Sequence, residues 1–141
     1  MLTPANRSPQ PQGQQRILYV GNDQEPLAAL RAILRRPEFQ IVSCPDRGSA
    51  ILFIKSDIRY DIFLFDLEMR DRAAFELAQL AQSLNHRQHI PIIMAASEID
   101  SSLEELARHA GAIECVSKNG GMSALPNVIT SLFTRGRIVN R

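Results

Sequence analysis

The sequence predicts an α/β fold, (βα)5, in which helices cover both faces of one doubly wound, parallel five-stranded sheet. Short apolar runs alternate with segments whose apolar residues recur at helical spacing. Two of those runs, Ile62-Phe-Leu-Phe65 and Ile92-Ile-Met-Ala-Ala96, are apolar on both faces, as buried parallel strands are. With 141 residues, 45% of them hydrophobic and 22% charged, the chain is long enough for one core and too short for two.

Taken in order, residues 1–15 hold three prolines and four glutamines and are expected to form a flexible tail. The domain starts at Arg16 with the strand Ile17-Leu-Tyr-Val20. Leu27, Leu30 and Leu34 share one face of the first helix, which Pro37 should stop. A second strand, Phe39 to Cys44, leads to a helix that Asp46 or Ser49 can cap. The third strand is followed by a helix carrying Leu77, Leu80, Ala81 and Leu84, and the fourth by one carrying Leu103, Leu106, Ala107 and Ala110. Gly111 suits the end of that helix, where left-handed geometry is cheap for glycine. Ile113-Glu-Cys-Val116 reads as the fifth strand. Leu125, Val128, Ile129 and Leu132 mark the last helix, with Pro126 in its first turn, where a missing N–H costs little. The domain thus spans 16–134, and 135–141 is a short basic tail whose Arg135, Arg137 and Arg141 are expected to be solvated.

A formal charge of +1 and a pI near 7.9 give no bulk attraction to nucleic acid or to an acidic membrane. No apolar stretch approaches the ~20 residues that span a bilayer, and the N-terminus lacks a basic start and apolar heart. A soluble, cytoplasmic protein is expected, with neither nucleic acid nor membrane as partner. Cys44 and Cys115 stand alone, without metal-site spacing, and are expected to be small core residues in a reducing compartment.

Right-handed crossovers place a reversal of strand order at the carboxyl ends of the first and third strands, where a ligand crevice is expected. Gly21, Asn22 and Asp23 follow the first strand, Asp66 ends the third, Ala96 and Ser97 end the fourth, and Lys118 follows the fifth. An apolar strand closing on a lone carboxylate is unusual. Lys118 is the only lysine in the second half of the chain. The two are expected to meet at one edge of the sheet.

With these residues in place, the chain resembles the receiver domain of bacterial two-component response regulators over roughly residues 16 to 134. The matching pieces are Arg16-Ile-Leu-Tyr-Val20, Tyr60-Asp-Ile-Phe-Leu-Phe-Asp66-Leu, Ile90-Pro-Ile-Ile-Met94 and Gly111-Ala-Ile-Glu-Cys-Val-Ser-Lys118. The resemblance implies a flavodoxin-like sheet of strand order 2-1-3-4-5. It further implies transfer of a phosphoryl group to Asp66 from a histidine kinase, a phosphotransfer protein or a small phosphodonor. Lys118 would pair with the phosphate or the carboxylate. The metal positions would fall on Asn22, Asp23, Asp66 and Glu68, the last through its backbone carbonyl.

Several family positions depart from the pattern. Gly21 and Asn22 stand where two adjacent acids normally hold Mg²⁺, so that site is expected to be weak or absent. Ala96 replaces the switch hydroxyl, with Ser97 one place late. Cys115 replaces the aromatic switch, Asn119 the proline after the lysine, and Arg70, Ala73 and Ala74 occupy the usual proline and glycine positions. The chain therefore reads as a degenerate receiver, a signalling module and not an enzyme in the turnover sense.

Two functions follow. One is a stand-alone receiver in a phosphorelay, with Asp66 as acceptor and Mg²⁺-dependent switching impaired. The alternative is a phosphorylation-independent pseudo-receiver that binds a protein partner, with Asp66 and Lys118 as a permanent ion pair. The family's usual dimer or output face leaves a homodimer open. A flavin or nucleotide site would want more glycine and hydroxyl groups than Gly21-Asn-Asp-Gln-Glu-Pro26 offers. DNA binding lacks a recognition segment after residue 134. Asp23 could instead cap the first helix. Arg70, Asp71 and Arg72 read as an exposed turn, and His86 and His89 as surface residues.

Overall fold

The computed structural model describes residues 15–34, 39–119 and 122–134. The strands are β1 (Gln15–Val20), β2 (Phe39–Cys44), β3 (Ile62–Asp66), β4 (Ile92–Ala96) and β5 (Glu114–Ser117). They alternate with α1 (Gln24–Ile33), α2 (Arg47–Lys55), α3 (Ala73–Ser83), α4 (Ser101–His109) and α5 (Leu125–Thr134). All strand pairs are parallel, in the order β2-β1-β3-β4-β5. This is the expected fold class and strand order. Of the expected tail 1–15, residues 1–14 lie outside the described residues, as do Pro37 and the C-terminal arginines; Gln15 does not belong to a tail, because it is the buried first residue of β1, paired with Phe39 of β2.

The two-residue period of the strands sorts their side chains into two cores. Ile17, Tyr19, Ile62, Leu64, Ile93, Ala95 and Val116 face α1 and α5, meeting Leu30, Leu34, Leu125, Ile129 and Leu132. Leu18, Val20, Phe63, Phe65, Ile92 and Met94 face the opposite way, toward α2, α3 and Ala107 of α4. Every residue of β3 and of β4 is buried, as double-sided apolarity requires.

Local chemistry sets the helix ends. Asp46 caps α2 by accepting the Ser49 N–H at 2.7 Å, and Asp100 caps α4 by accepting the Leu103 N–H at 2.8 Å. Gly111, with φ of 111°, follows α4 in the left-handed region. Pro126 is the second residue of α5. Between β3 and α3 a single turn at Arg70–Arg72 holds Asp71 and Arg72 at φ of 60° and 55°, all three side chains exposed.

Three further details differ from the sequence expectation. The fifth strand begins at Glu114, leaving Ile113 37% exposed. Leu106, placed by its spacing on the inner face of α4, is 52% exposed. β5 is the edge strand of the sheet, so Ile113 just before it lacks a neighbouring strand on one side; Leu106 lies about 60° around α4 from Leu103, at the margin of its inner face. Cys115 is half-buried where Cys44 is fully buried, and both are free thiols.

Arg87 was not anticipated. Its side chain is buried in the turn after α3. There Nε donates to the Ile54 carbonyl at 2.9 Å, and a terminal nitrogen donates to the Ser56 carbonyl at 2.8 Å and the Phe53 carbonyl at 3.4 Å. The guanidinium thus gives the Ile54 carbonyl a buried donor at the end of α2 and adds to the donors on the other two, since Phe53 O also accepts from Ser56 and Ser56 O also meets His86 Nε2. Its flat face lies 5.0 Å from the Tyr60 ring centroid and 5.8 Å from that of Phe63. Burial pulls its pKa down.

Candidate functional site

The strand period that builds the α1 and α5 core also builds the site. Extending it past the strand ends puts Gly21, Asp66, Ser97 and Lys118 at successive positions on one side of the carboxyl edge. The ladder itself continues there. Gly21 N–H donates to the Cys44 carbonyl at 2.9 Å, Leu67 N–H to Ala95 at 2.8 Å, and Lys118 N–H to Ala96 at 2.8 Å. These bonds fix the backbone that carries the functional groups.

Asp66 is 2% exposed, and both of its carboxylate oxygens are engaged. Oδ2 accepts from the Lys118 ammonium at 3.0 Å, while Oδ1 accepts the Glu68 N–H at 2.8 Å in a short Asx-type turn. The expected convergence of Asp66 and Lys118 is present.

Lys118 does not serve Asp66 alone. Its Nζ lies 2.7 Å from Glu68 Oε1 and 3.7 Å from Asp23 Oδ2, so three carboxylates surround one ammonium. The lysine side chain is 8% exposed, while Glu68 and Asp23 are 44% and 46% exposed at the rim. Burial is the largest single influence on Lys118 and acts to lower its pKa. The hydrogen bonds to Glu68 and Asp66 together outweigh it, and the ammonium stays charged well above the ordinary lysine range.

Glu68 is the unforeseen centre of the site. The family resemblance gives it a place there through its backbone carbonyl; its side chain joins two loops. Oε1 meets Lys118 and also accepts the Ser97 hydroxyl at 3.0 Å, while Oε2 accepts the Ser97 N–H at 2.9 Å. The Lys118 contact, reinforced by the Ser97 bonds and opposed by partial burial, holds its pKa below the usual glutamate value. In the sequence Ser97 stands out only as a hydroxyl one residue beyond the family position. The Ser97 carbonyl is held in turn by the Asn119 side-chain amide at 2.8 Å and the Ser117 hydroxyl at 3.3 Å. Asn119 thus ties the lysine loop to the β4 loop.

Tyr19 also belongs to the site. A Cβ built on Gly21 would lie 2.6 Å from the Tyr19 hydroxyl oxygen, 2.8 Å from its ring carbon and 2.9 Å from Asp66 Cβ. The ring fills the space into which a side chain at position 21 would project. Its hydroxyl donates weakly to the Asp23 carbonyl at 3.4 Å. Burial, and then the negative charge of Asp66, push its phenol pKa up, so it is a neutral donor at physiological pH. Asn22 is exposed beside it, and Asp23 directly precedes α1.

Arg70 and Arg72 lie exposed on the neighbouring turn, and His86 and His89 are exposed elsewhere, with His86 Nε2 3.0 Å from the Ser56 carbonyl. Among the described residues, no helix is long and apolar enough to cross a membrane.

The sequence model of the response regulator receiver domain matches residues 17–130. A response regulator of Hahella chejuensis aligns with 90% of this chain and 100% of its own at 19% identity and a TM-score of 0.77. The chemotaxis protein CheY4 of Vibrio cholerae aligns over 84% and 98% at 16% identity and a TM-score of 0.75. The receiver domain of a sensor histidine kinase of Pseudomonas aeruginosa, solved with magnesium in its active-site cleft, aligns over 84% and 96% at 19% identity and a TM-score of 0.72. At these identities the structural likeness establishes the fold. No curated protein sequence matches the chain.

Proposed function

The chain belongs to the response regulator receiver domain family, and from that premise we propose that it is a phosphorelay receiver whose acceptor is Asp66. The observation that carries this reading is the buried Asp66 carboxylate at a strand end, 3.0 Å from the Lys118 ammonium. In the reaction an Asp66 oxygen forms a bond to phosphorus as the bond from phosphorus to the donor breaks. The departing imidazole or carboxylate keeps that electron pair, and the product is an aspartyl phosphate. Lys118 neutralises charge on the transferred oxygens, a role its persistent positive charge suits. Partners of this reading are a histidine kinase or a phosphotransfer protein. The module signals through binding and does not turn over a substrate of its own.

The residues present do not fit a dedicated magnesium seat. Octahedral magnesium wants close oxygen ligands and retained waters, whereas the centre of these carboxylates holds the Lys118 ammonium. Gly21 offers no side chain and Asn22 only an exposed amide. Among the described residues, no group of three or more histidine, cysteine or acidic side chains is arranged to hold a metal ion. Any magnesium would have to be held by Asn22, Asp23, Asp66 and the Glu68 backbone carbonyl, in competition with the Lys118 ammonium, and would therefore be held weakly.

A second reading, a pseudo-receiver that binds its partner without phosphorylation, is favoured by one observation. Both Asp66 oxygens are already bonded, and the residue is almost wholly buried. Intact-mass measurement after incubation with acetyl phosphate and Mg²⁺, with Asp66→Asn as control, separates the two. A phosphoryl adduct on the wild type alone supports the receiver; its absence, with no Mg²⁺ binding by calorimetry, supports the pseudo-receiver.

A further inference from the structure

The Glu68 carboxylate is held by one ammonium, one backbone N–H and one hydroxyl: Lys118 Nζ at 2.7 Å, Ser97 N–H at 2.9 Å and Ser97 Oγ at 3.0 Å. That donor set is a general seat for an oxyanion, because it supplies charge-assisted hydrogen bonds from converging directions. The seat opens beside the Asp66 carboxylate, which shares the same ammonium. Glu68 is also the exposed member of the pair, 44% against 2% for Asp66.

We propose that Glu68 is a resident occupant of this oxyanion seat, and that a phosphoryl-type anion reaches Lys118 and Ser97 only when the Glu68 side chain swings out. This deepens the receiver reading and rests on it for the identity of the incoming group. The physical basis is competition. Two anions cannot both take the Ser97 N–H and the near side of the ammonium, and like charges at that spacing repel. The turn that anchors Glu68 runs through its own N–H to Asp66 Oδ1, so the backbone stays fixed while the side chain leaves.

The probe is inorganic phosphate, titrated into the full-length chain and followed by the Ser97 amide resonance. Glu68→Gln and Glu68→Ala are expected to bind it about tenfold or more tightly than wild type, the ratio that one regained charge-assisted hydrogen bond supplies. Asp23→Asn removes the same charge from the rim without vacating the seat and is expected to gain about threefold at most. Lys118→Met should bind no phosphate. Equal affinity in wild type and both Glu68 variants, with unchanged melting curves, overturns the proposal. So does an Asp23→Asn gain as large as that of Glu68→Gln.

The acetyl phosphate reaction separates this inference from the reading beneath it. A faster adduct on Asp66 in Glu68→Gln than in wild type supports both. Tighter phosphate binding in Glu68→Gln with no adduct on any variant removes the receiver reading and leaves the resident anion standing. An adduct forming at equal rates, with equal phosphate affinity, does the reverse.

Discussion

The Tyr19 hydroxyl stands 2.6 Å from the point where a Cβ on Gly21 would lie, so the ring and the missing side chain share one volume. The tyrosine in β1 and the glycine two residues later are a matched pair. Gly21→Ala is expected to destabilise the protein by about 1–3 kcal/mol through overpacking. In a Tyr19→Leu background that cost should shrink, since both the hydroxyl and the ring carbon at 2.8 Å are gone. A double-mutant cycle from urea midpoints checks it. Costs that add to within about 0.5 kcal/mol would show that the two positions are independent.

Lys118→Met leaves the buried Asp66 side chain without its cationic partner. Removing one partner of a buried pair typically costs about 3–5 kcal/mol. Asp66→Asn is expected to cost less, because Lys118 keeps Glu68 as a counter-ion. Chemical denaturation of the two variants should rank them in that order, and the reverse ranking would refute this account of the pair.

Arg87→Met should lower stability by about 1–3 kcal/mol, because the Ile54 carbonyl loses its buried donor and the Ser56 carbonyl is left to the exposed His86. Arg87→Lys should recover little of it. A lysine cannot direct several donors from one plane or lie flat on the Tyr60 ring. Thermal melts of both variants test this, and full recovery by lysine would contradict the planar role.

Glu68 has a folded-state pKa below the ordinary glutamate value, so the unfolded chain takes up the proton first as pH falls. Its contribution to stability is complete above about pH 4.3 and is lost as pH drops through the lower folded value. The half-exposed position keeps the effect small. The stability difference between wild type and Glu68→Gln should hold steady from pH 7 to about 5 and change below it. A difference that stays level down to pH 3 would argue against the contact in solution.

Much of this site is legible in the sequence, because strand ends and residue parity are local properties. Asp66 closes an apolar strand, Lys118 follows another, and crossover handedness brings the two to one edge. The side-chain role of Glu68 is not legible. It depends on two loops meeting 29 residues apart, which no local period encodes. Tyr19 looks like any strand residue until its ring is seen over Gly21. Arg87 sits in a polar stretch that gives no hint of burial, and only the packing of α2 against α3 turns it inward. Leu106 errs the other way: helical spacing assigns it to the apolar face, but the margin of that face is left 52% exposed.

The pairing of α2 with α3 has a mechanical consequence. Arg47 near the start of α2 forks onto Glu76 near the start of α3, and Arg87 beyond the far end of α3 clasps the closing carbonyls of α2. The two helices are thus tied at both ends, by an exposed ion pair at one and by a buried guanidinium at the other. Water screens the first tie and not the second, so the hold of α2 on α3 rests mainly at the Arg87 end.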